Sequence, residues 1–228
     1  MTFMRWLFFA LMLLIAYLVG SVNTAIIISK LVGHKDVRES GSGNAGMTNI
    51  MRTMGFLPGL ITFLIDASKA AAVCAVGKFI VFPYLNAELG FDFLLSPNCG
   101  VYYCGIACIL GTVFPLFFGF KGGKGVASSC GIILVCEWKS AVIALALFVV
   151  IFIIKRTISL ASISAAVSLP FLNIIFAGAP DYSVAQKTVQ CLLMGVMAVI
   201  VVSKHKENII RLIKGEEKPL VIKKTKES

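Results

Sequence analysis

Apolar residues gather in seven blocks, near residues 6–22, 57–82, 100–119, 126–136, 140–154, 157–178 and 188–203. Blocks of this length and number, in a chain of 228 residues of which 58% are hydrophobic, belong to a polytopic all-α membrane protein rather than to a water-soluble domain. One helical bundle is the sensible unit at this size, so residues 1–228 read as a single integral-membrane domain. The first block is long for the apolar region of a signal peptide. It runs into a polar loop without a small-residue cleavage site and therefore reads as the first span.

A straight helix needs about 20 residues to cross the hydrocarbon. Blocks 126–136 and 140–154 are short by that measure, so they form either a tight hairpin closed by Glu137-Trp138-Lys139 or one kinked span. The charges choose. With seven spans and the N-terminus outside, the inner segments hold Lys30, Lys35, Arg38, Arg52, Lys121, Lys124, Lys155, Arg156 and the eight basic residues after Ser203, which is sixteen of 21. Only Arg5, Lys78, Lys139 and Lys187 fall near the outer face, and Lys69 lies within a span. Six spans would strand one basic cluster outside, against the positive-inside bias. The outer segment 83–99 has acids, Glu88 and Asp92, and no Lys or Arg. The expectation is seven transmembrane helices, N-terminus outside and C-terminus cytoplasmic, in a bacterial cytoplasmic (inner) membrane.

The net charge of +10 comes without any nucleic-acid-binding motif. It fits cytoplasmic loops beside an anionic leaflet and excludes nucleic acid as the partner, leaving membrane lipid. Seven cysteines show no zinc spacing, and Cys104 and Cys108 share one helix face, so all read as buried thiols. In this orientation every unusual polar segment, 20–52, 120–129, 155–162 and 204–216, lands on the cytoplasmic face, which points to one site.

Four stretches supply that site. In "GSGNAGMTNIMR" (41–52), glycines allow close backbone approach and exposed amides make an anion-binding nest; Ser42, Gly43, Asn44, Thr48 and Asn49 add donors, and Arg52 can grip a phosphate through two bonds. In "FKGGKGVASS" (120–129), no glycine stands five before Lys124 and Gly125 follows it, so this is not a P-loop. Lys121, Gly122, Gly123 and Lys124 are still suited to phosphate at the start of a helix. In "RTISLASIS" (156–164), Ser159 and Ser162 share a helix face. In "HKENIIRLIKGEE" (205–217), His205, Asn208 and Arg211 share one face, and a histidine is the natural acceptor for an alcohol proton. Asp66 and Lys69, three apart inside a span, read either as a structural ion pair or as direct participants in the chemistry. His34 and Glu39 have the His-x4-acid spacing of another acyltransferase class, but no companion phosphate-binding block accompanies them.

Together these stretches resemble the membrane-integral bacterial glycerol-3-phosphate acyltransferases that use acyl phosphate, the PlsY family. The resemblance covers nearly the whole chain through "GSVNTAIIISK" (20–30), "DVRESGSGNAGMTNIMRTMG" (36–55), "DASK" (66–69), "GTVFPLFFGFKGGKGVA" (111–127), "SLASI" (159–163) and "HKENIIRLIKGEE". It implies a seven-helix fold and acyl transfer from acyl phosphate to the sn-1 hydroxyl of glycerol 3-phosphate. The implied products are lysophosphatidic acid and phosphate, with no metal, cofactor or acyl carrier as direct donor. Four positions depart from the family pattern: Asn23 stands where Pro is usual, Met47 replaces a small residue, Ala70 replaces Gly, and Thr112 stands where His is usual.

The expected division of labour has Ser42, Gly43, Asn44, Arg52, Lys121, Gly122, Gly123 and Lys124 binding the two phosphates, with Ser159, His205 and Asn208 completing the polar cage. Acyl phosphate is already a good acyl donor, so no covalent intermediate is required. Either His205 or a substrate phosphate takes the hydroxyl proton. A transporter for phosphorylated solutes would need anion-binding residues at both faces, and the outer loops offer almost none. A non-catalytic lipid-binding scaffold would have no use for so many convergent phosphate donors.

Overall fold

The computed structural model describes residues 2–89, 97–176 and 183–221. Asp92 of the acidic outer segment and Lys223, Lys224 and Lys226 of the basic tail lie outside these. The described chain is helical, in the order α1 (Thr2–Ser21), α2 (Thr24–Gly33), α3 (Met47–Met54), α4 (Phe56–Val76), α5 (Phe82–Leu89), α6 (Pro97–Val113), α7 (Val126–Cys136), α8 (Trp138–Lys155), α9 (Ile158–Phe176), α10 (Val184–Ser203) and α11 (Lys206–Ile213). A single π turn, Gly77–Val81, joins α4 to α5.

Among the described residues, six stretches are long and apolar enough to cross a membrane: Trp6–Gly33, Phe56–Leu85, Cys99–Phe118, Trp138–Lys155, Ile158–Phe176 and Val184–Ser203. The remaining apolar block is α7, whose 11 residues reach roughly 17 Å at 1.5 Å per residue. That is short of a hydrocarbon core of about 30 Å. Of the two forms weighed for this region, the structure has the hairpin, two helices parted at Glu137, that the charges favour. The chain breaks at Glu137 (φ −151°, ψ 89°), and α8 then runs back, so that its Leu145 and Phe148 line the same cavity as Val126–Cys130 of α7.

The long helices alternate in direction. One end of the bundle collects the C-termini of α1, α6, α8 and α10 and the N-termini of α4, α7 and α9. There Thr112 on α6 bonds to the Gly20 carbonyl of α1 and to Ser128 of α7. The Leu220 amide donates to the Arg156 carbonyl at the end of α8 (3.0 Å). Among the described residues at the opposite end, Phe9 is edge-on to Phe82 and Tyr103. Polar links there include Lys78 to the carbonyls of Val135 and Cys136 that end α7, Tyr102 donating to Asn173 (3.3 Å), and the capping box of Ser183 and Gln186 at the start of α10.

Helix α6 is the centre of the core, with Val101, Tyr102, Cys104, Cys108, Ile109 and Val113 all buried against the surrounding helices. Glycines set how closely α1 approaches it. A Cβ at Gly20 would strike the Cys108 carbonyl, and one at Gly111 would strike the Tyr17 carbonyl. Such small-residue contacts let backbones meet where no hydrophobic force drives helices together. The outward faces carry large exposed apolar side chains, among them Ile153, Ile154, Phe171, Ile174 and Val199, which suits hydrocarbon and not water. A second, smaller core of Ala25, Ile26, Val37, Ala45 and Ile50 lies under the 36–46 segment and anchors it to α2 and α3.

Candidate functional site

Where α1 ends, Asn23 caps α2 by accepting from the Ile26 amide (3.0 Å) and donates to the Ala45 carbonyl (3.3 Å). A proline could form neither bond, so this departure from the family pattern ties the first glycine-rich loop to the break between α1 and α2. The loop is braced from the other side by Asn49, which is fully buried. Its Nδ2 donates to the carbonyls of Val37 and Ser40, and its Oδ1 accepts from the Ser42 amide, each at 2.9 Å. Gly43, at φ +71°, completes the turn. Among the described residues, the amides of Asn44, Ala45, Met47 and Thr48 then have no acceptor in the chain.

The second loop, 119–125, leaves the end of α6. Gly122 donates to the Val113 carbonyl (3.2 Å) and Gly123 to the Thr112 carbonyl (3.1 Å), so the loop satisfies two of the carbonyls that a helix end leaves orphaned. Gly123 passes against the Ala45 carbonyl, and a Cβ there would sit 2.7 Å from that oxygen. The two glycine-rich loops therefore touch. Arg38 clasps them from outside. It pairs with Asp36 (2.8 Å) and donates to the Phe118 carbonyl (2.8 Å). Hydrogen bonding to Arg38 holds the Asp36 carboxyl below its ordinary range, against the opposing effect of burial.

Between the loops and the helix ends lies a cavity of about 710 Å³. Its mouth is polar. Ser42, Gly43, Asn44, Arg52, Gly122, Gly123, Lys124, Ser159, His205 and Asn208 all line it, together with Arg211 and Glu217. Four helix N-termini open onto it: those of α3 at Gly46–Thr48, α7 at Gly125–Ser129, α9 at Ile158–Ser159 and α11 at Lys206–Asn208. The first amides of a helix lack intrahelical partners and carry its positive dipole end. The cavity continues into the bundle as an apolar groove. Ala141, Ala144, Leu145 and Phe148 of α8 face Ala165, Ala166 and Leu169 of α9, and Met197, Ala198 and Val201 of α10 close a third side. The α8 and α9 residues recur at three and four, so each set forms one helix face.

Lys121 is placed differently from the rest. It is exposed and borders a separate, smaller hollow with Asp36, Arg38 and Glu39. The bonds that fasten Gly122 and Gly123 to the end of α6 turn Lys124 inward and leave Lys121 outside.

The charged cluster at the mouth is organised by Glu217, the last residue of "HKENIIRLIKGEE" and one that local sequence does not single out. After α11 the chain turns at Gly215 (φ +70°) and comes back. The Glu217 carboxylate, its side chain 7% exposed, accepts from Ser159 Oγ (2.7 Å), Asn208 Nδ2 (2.6 Å) and Arg211 Nε (2.6 Å). Burial pushes its pKa up, but these three bonds and the Arg211 charge outweigh that and hold it below the ordinary value. Asn208 in turn accepts from Lys124, so Asn208 bridges the lysine to the carboxylate. Burial pulls the Lys124 ammonium down to about 8 despite the nearby Glu217. Arg52 reaches the Lys218 carbonyl (3.4 Å) on the returning tail.

His205 is buried, with Nδ1 2.8 Å from the Val201 carbonyl. A carbonyl only accepts, so Nδ1 carries the hydrogen and Nε2 keeps a free lone pair. Burial and the charge of Lys124 push this imidazole down to about 4, so it is neutral at physiological pH. Asp66 also borders the cavity but is committed to Lys69 (2.7 Å) and Thr24 (2.6 Å), as the ion-pair reading expected. Thr112, at the position where His is usual in the family, is a buried joint between α1, α6 and α7 and also borders the cavity.

Known proteins are similar throughout this architecture. The profile described as "Glycerol-3-phosphate acyltransferase" matches residues 10–215. A glycerol-3-phosphate acyltransferase of Finegoldia magna is 34% identical over 217 residues, 95% of this chain and 98% of that protein. One from Geotalea daltonii is 38% identical over 202 residues, 89% of this chain and 92% of that one. Among solved structures, PlsY, an integral membrane glycerol 3-phosphate acyltransferase, matches in its glycerol 3-phosphate form with a TM-score of 0.77 and 31% identity, covering 93% of this chain and 96% of that one. Its lysophosphatidic acid form matches with a TM-score of 0.75 and 30% identity, covering 92% and 94%.

Proposed function

We propose, on the premise that the chain belongs to the PlsY-type glycerol-3-phosphate acyltransferase family, that its donor is acyl phosphate and its acceptor the sn-1 hydroxyl of glycerol 3-phosphate. The observation that carries this reading is the two-part cavity: a mouth of free amides, Arg52 and Lys124 that runs without a break into an apolar groove. An acyl phosphate has the same two parts, a phosphate head and a hydrocarbon tail.

In this reading the Ser42–Asn44 loop, Gly122, Gly123, Arg52 and Lys124 hold the two phosphates, and Lys121 contributes only to the surface potential. Ser159 and Asn208 act through Glu217, which fixes both, and Asn208 aims Lys124. The acceptor hydroxyl oxygen bonds to the acyl carbon, and the bond from that carbon to the phosphate oxygen breaks. His205 is too weak a base to compete with a phosphate, whose second pKa is about 6. The proton therefore goes to a phosphate oxygen of the substrate, while the free Nε2 of His205 accepts a hydrogen bond that orients the hydroxyl. Alignment of the two substrates can supply roughly 7–11 kcal/mol of the barrier reduction. No residue has to become acylated.

The same reading makes the loop end of the bundle cytoplasmic, since it gathers most of the basic residues. It counts the α7–α8 hairpin as two of seven passes, which leaves the N-terminus outside. The test uses protein purified in detergent with palmitoyl phosphate and glycerol 3-phosphate. Phosphate release that requires both substrates and yields lysophosphatidic acid is expected. Lysophosphatidic acid formed from palmitoyl-CoA, with palmitoyl phosphate left intact, would end the donor assignment.

A further inference from the structure

Hydroxyls inside these helices are mostly engaged. Ser21, Thr53, Thr62, Ser168, Thr188 and Ser203 each donate to a carbonyl three or four residues earlier. This is the ordinary fate of serine and threonine in a membrane helix. Two hydroxyls on cavity-lining residues break the pattern. Ser162 on α9 and Ser129 on α7 are shielded from solvent and have no hydrogen-bond partner among the described residues. Ser162 is 3% exposed, and the carbonyls of Ile158 and Ser159 on its own helix are left unused by it. Ser140 on α8 is also buried without a partner among the described residues, but it does not line the cavity. A buried unpartnered hydroxyl is destabilising, and only where it lines the cavity, as at Ser162, can a partner arrive with the substrate.

The level of Ser162 in the bundle identifies that partner. Ser159, one turn nearer the mouth, belongs to the polar cluster around Glu217. Ala165 and Ala166, one turn deeper, belong to the apolar groove. A ligand with its phosphate in the mouth and its chain in the groove has its acyl carbonyl between them. We propose that Ser162 donates its hydroxyl hydrogen to the acyl carbonyl oxygen, with Ser129 of α7, which lines the same cavity, as a second donor. This rests on the acyl-phosphate reading. As the acceptor hydroxyl adds to the acyl carbon, the carbonyl π electrons move onto that oxygen, and the Ser162 hydrogen bond strengthens. As phosphate leaves, the carbonyl reforms and the serine is unchanged. A donor aimed at developing charge accelerates the step more than it aids binding.

The test compares wild type with Ser162→Ala, Ser162→Thr and Ser162→Cys in detergent, using palmitoyl phosphate. Loss of one such donor is expected to lower kcat on the order of 10²-fold. KM should stay within about threefold and the unfolding temperature should not fall, because the alanine removes an unsatisfied group. Ser162→Thr keeps the hydroxyl and should recover most of the rate, whereas Ser162→Cys, with its weak donor, should not. A second readout needs no turnover: the infrared carbonyl band of a bound, non-hydrolysable palmitoyl phosphonate. It should lie at lower frequency on wild type than on Ser162→Ala or Ser162→Cys. Wild-type kcat in Ser162→Ala, or one band position in all proteins, overturns the proposal while leaving the donor assignment standing. Wild type that leaves palmitoyl phosphate intact overturns both.

Discussion

Loop 41–46 is held by a side chain, and loop 119–125 is held by backbone. Asn49, from one turn into α3, supplies three bonds to the first loop and its approach, and a small apolar core supports it below. The second loop spends its own amides on the carbonyls of Thr112 and Val113 and needs no brace beyond the end of α6. Both arrangements leave amides free toward the cavity. They differ in what one substitution can undo. The first loop depends on the identity of one buried residue, while the second depends on a path that only the glycines can follow.

The sharpest break should therefore come at Asn49. Asn49→Ala strands the buried Val37 carbonyl and unties the part-buried Ser40 carbonyl and Ser42 amide, at about 1–3 kcal/mol for each group that water cannot reach. Thermal unfolding in detergent should drop markedly, and turnover should be close to nil. Lys124→Ala should act the other way, on rate and not on fold. Turnover is expected to fall on the order of 10²–10³-fold, as for other losses of a buried charge stabiliser. Stability should be unchanged or slightly higher, since burial disfavours the charged lysine.

The pH dependence sharpens the same point without mutation. With Lys124 near 8, the cation that binds phosphate is present below that value and lost above it. At low substrate, kcat/KM should be level through neutrality and fall about tenfold per unit well above pH 8. His205, at about 4, should give no break between pH 5 and 7. A break near 6.5 that disappears in His205→Ala would restore the histidine as base. The smallest effect belongs to Lys121→Ala, which should change turnover less than about threefold at moderate salt, because an exposed charge is well screened.

Much of this was legible in local sequence. The apolar block 126–136 became a helix with those very bounds, because its ends are set by a preceding glycine-rich loop and by the break at Glu137. The glycine-rich loops, Ser159, His205 and Asn208 all reach one cavity, as their common side of the bundle implied. What escaped depends on contacts distant in sequence. Lys121 and Lys124 look alike in "FKGGKG", and only the bonds back to α6 separate them. Glu217 looked like one more charge in a polar tail. Its role comes from the turn at Gly215, which carries it 58 positions away in sequence to meet Ser159.

Equilibrium binding of radiolabelled glycerol 3-phosphate to wild type, Lys124→Ala and Lys121→Ala, at one salt concentration and pH 7, tests the central claim most directly. The claim is that inward-facing donors, and not the general basicity of the face, hold the substrate. The account predicts that Lys124→Ala loses most of the affinity while Lys121→Ala stays within about threefold of wild type. Equal losses in the two variants would contradict it.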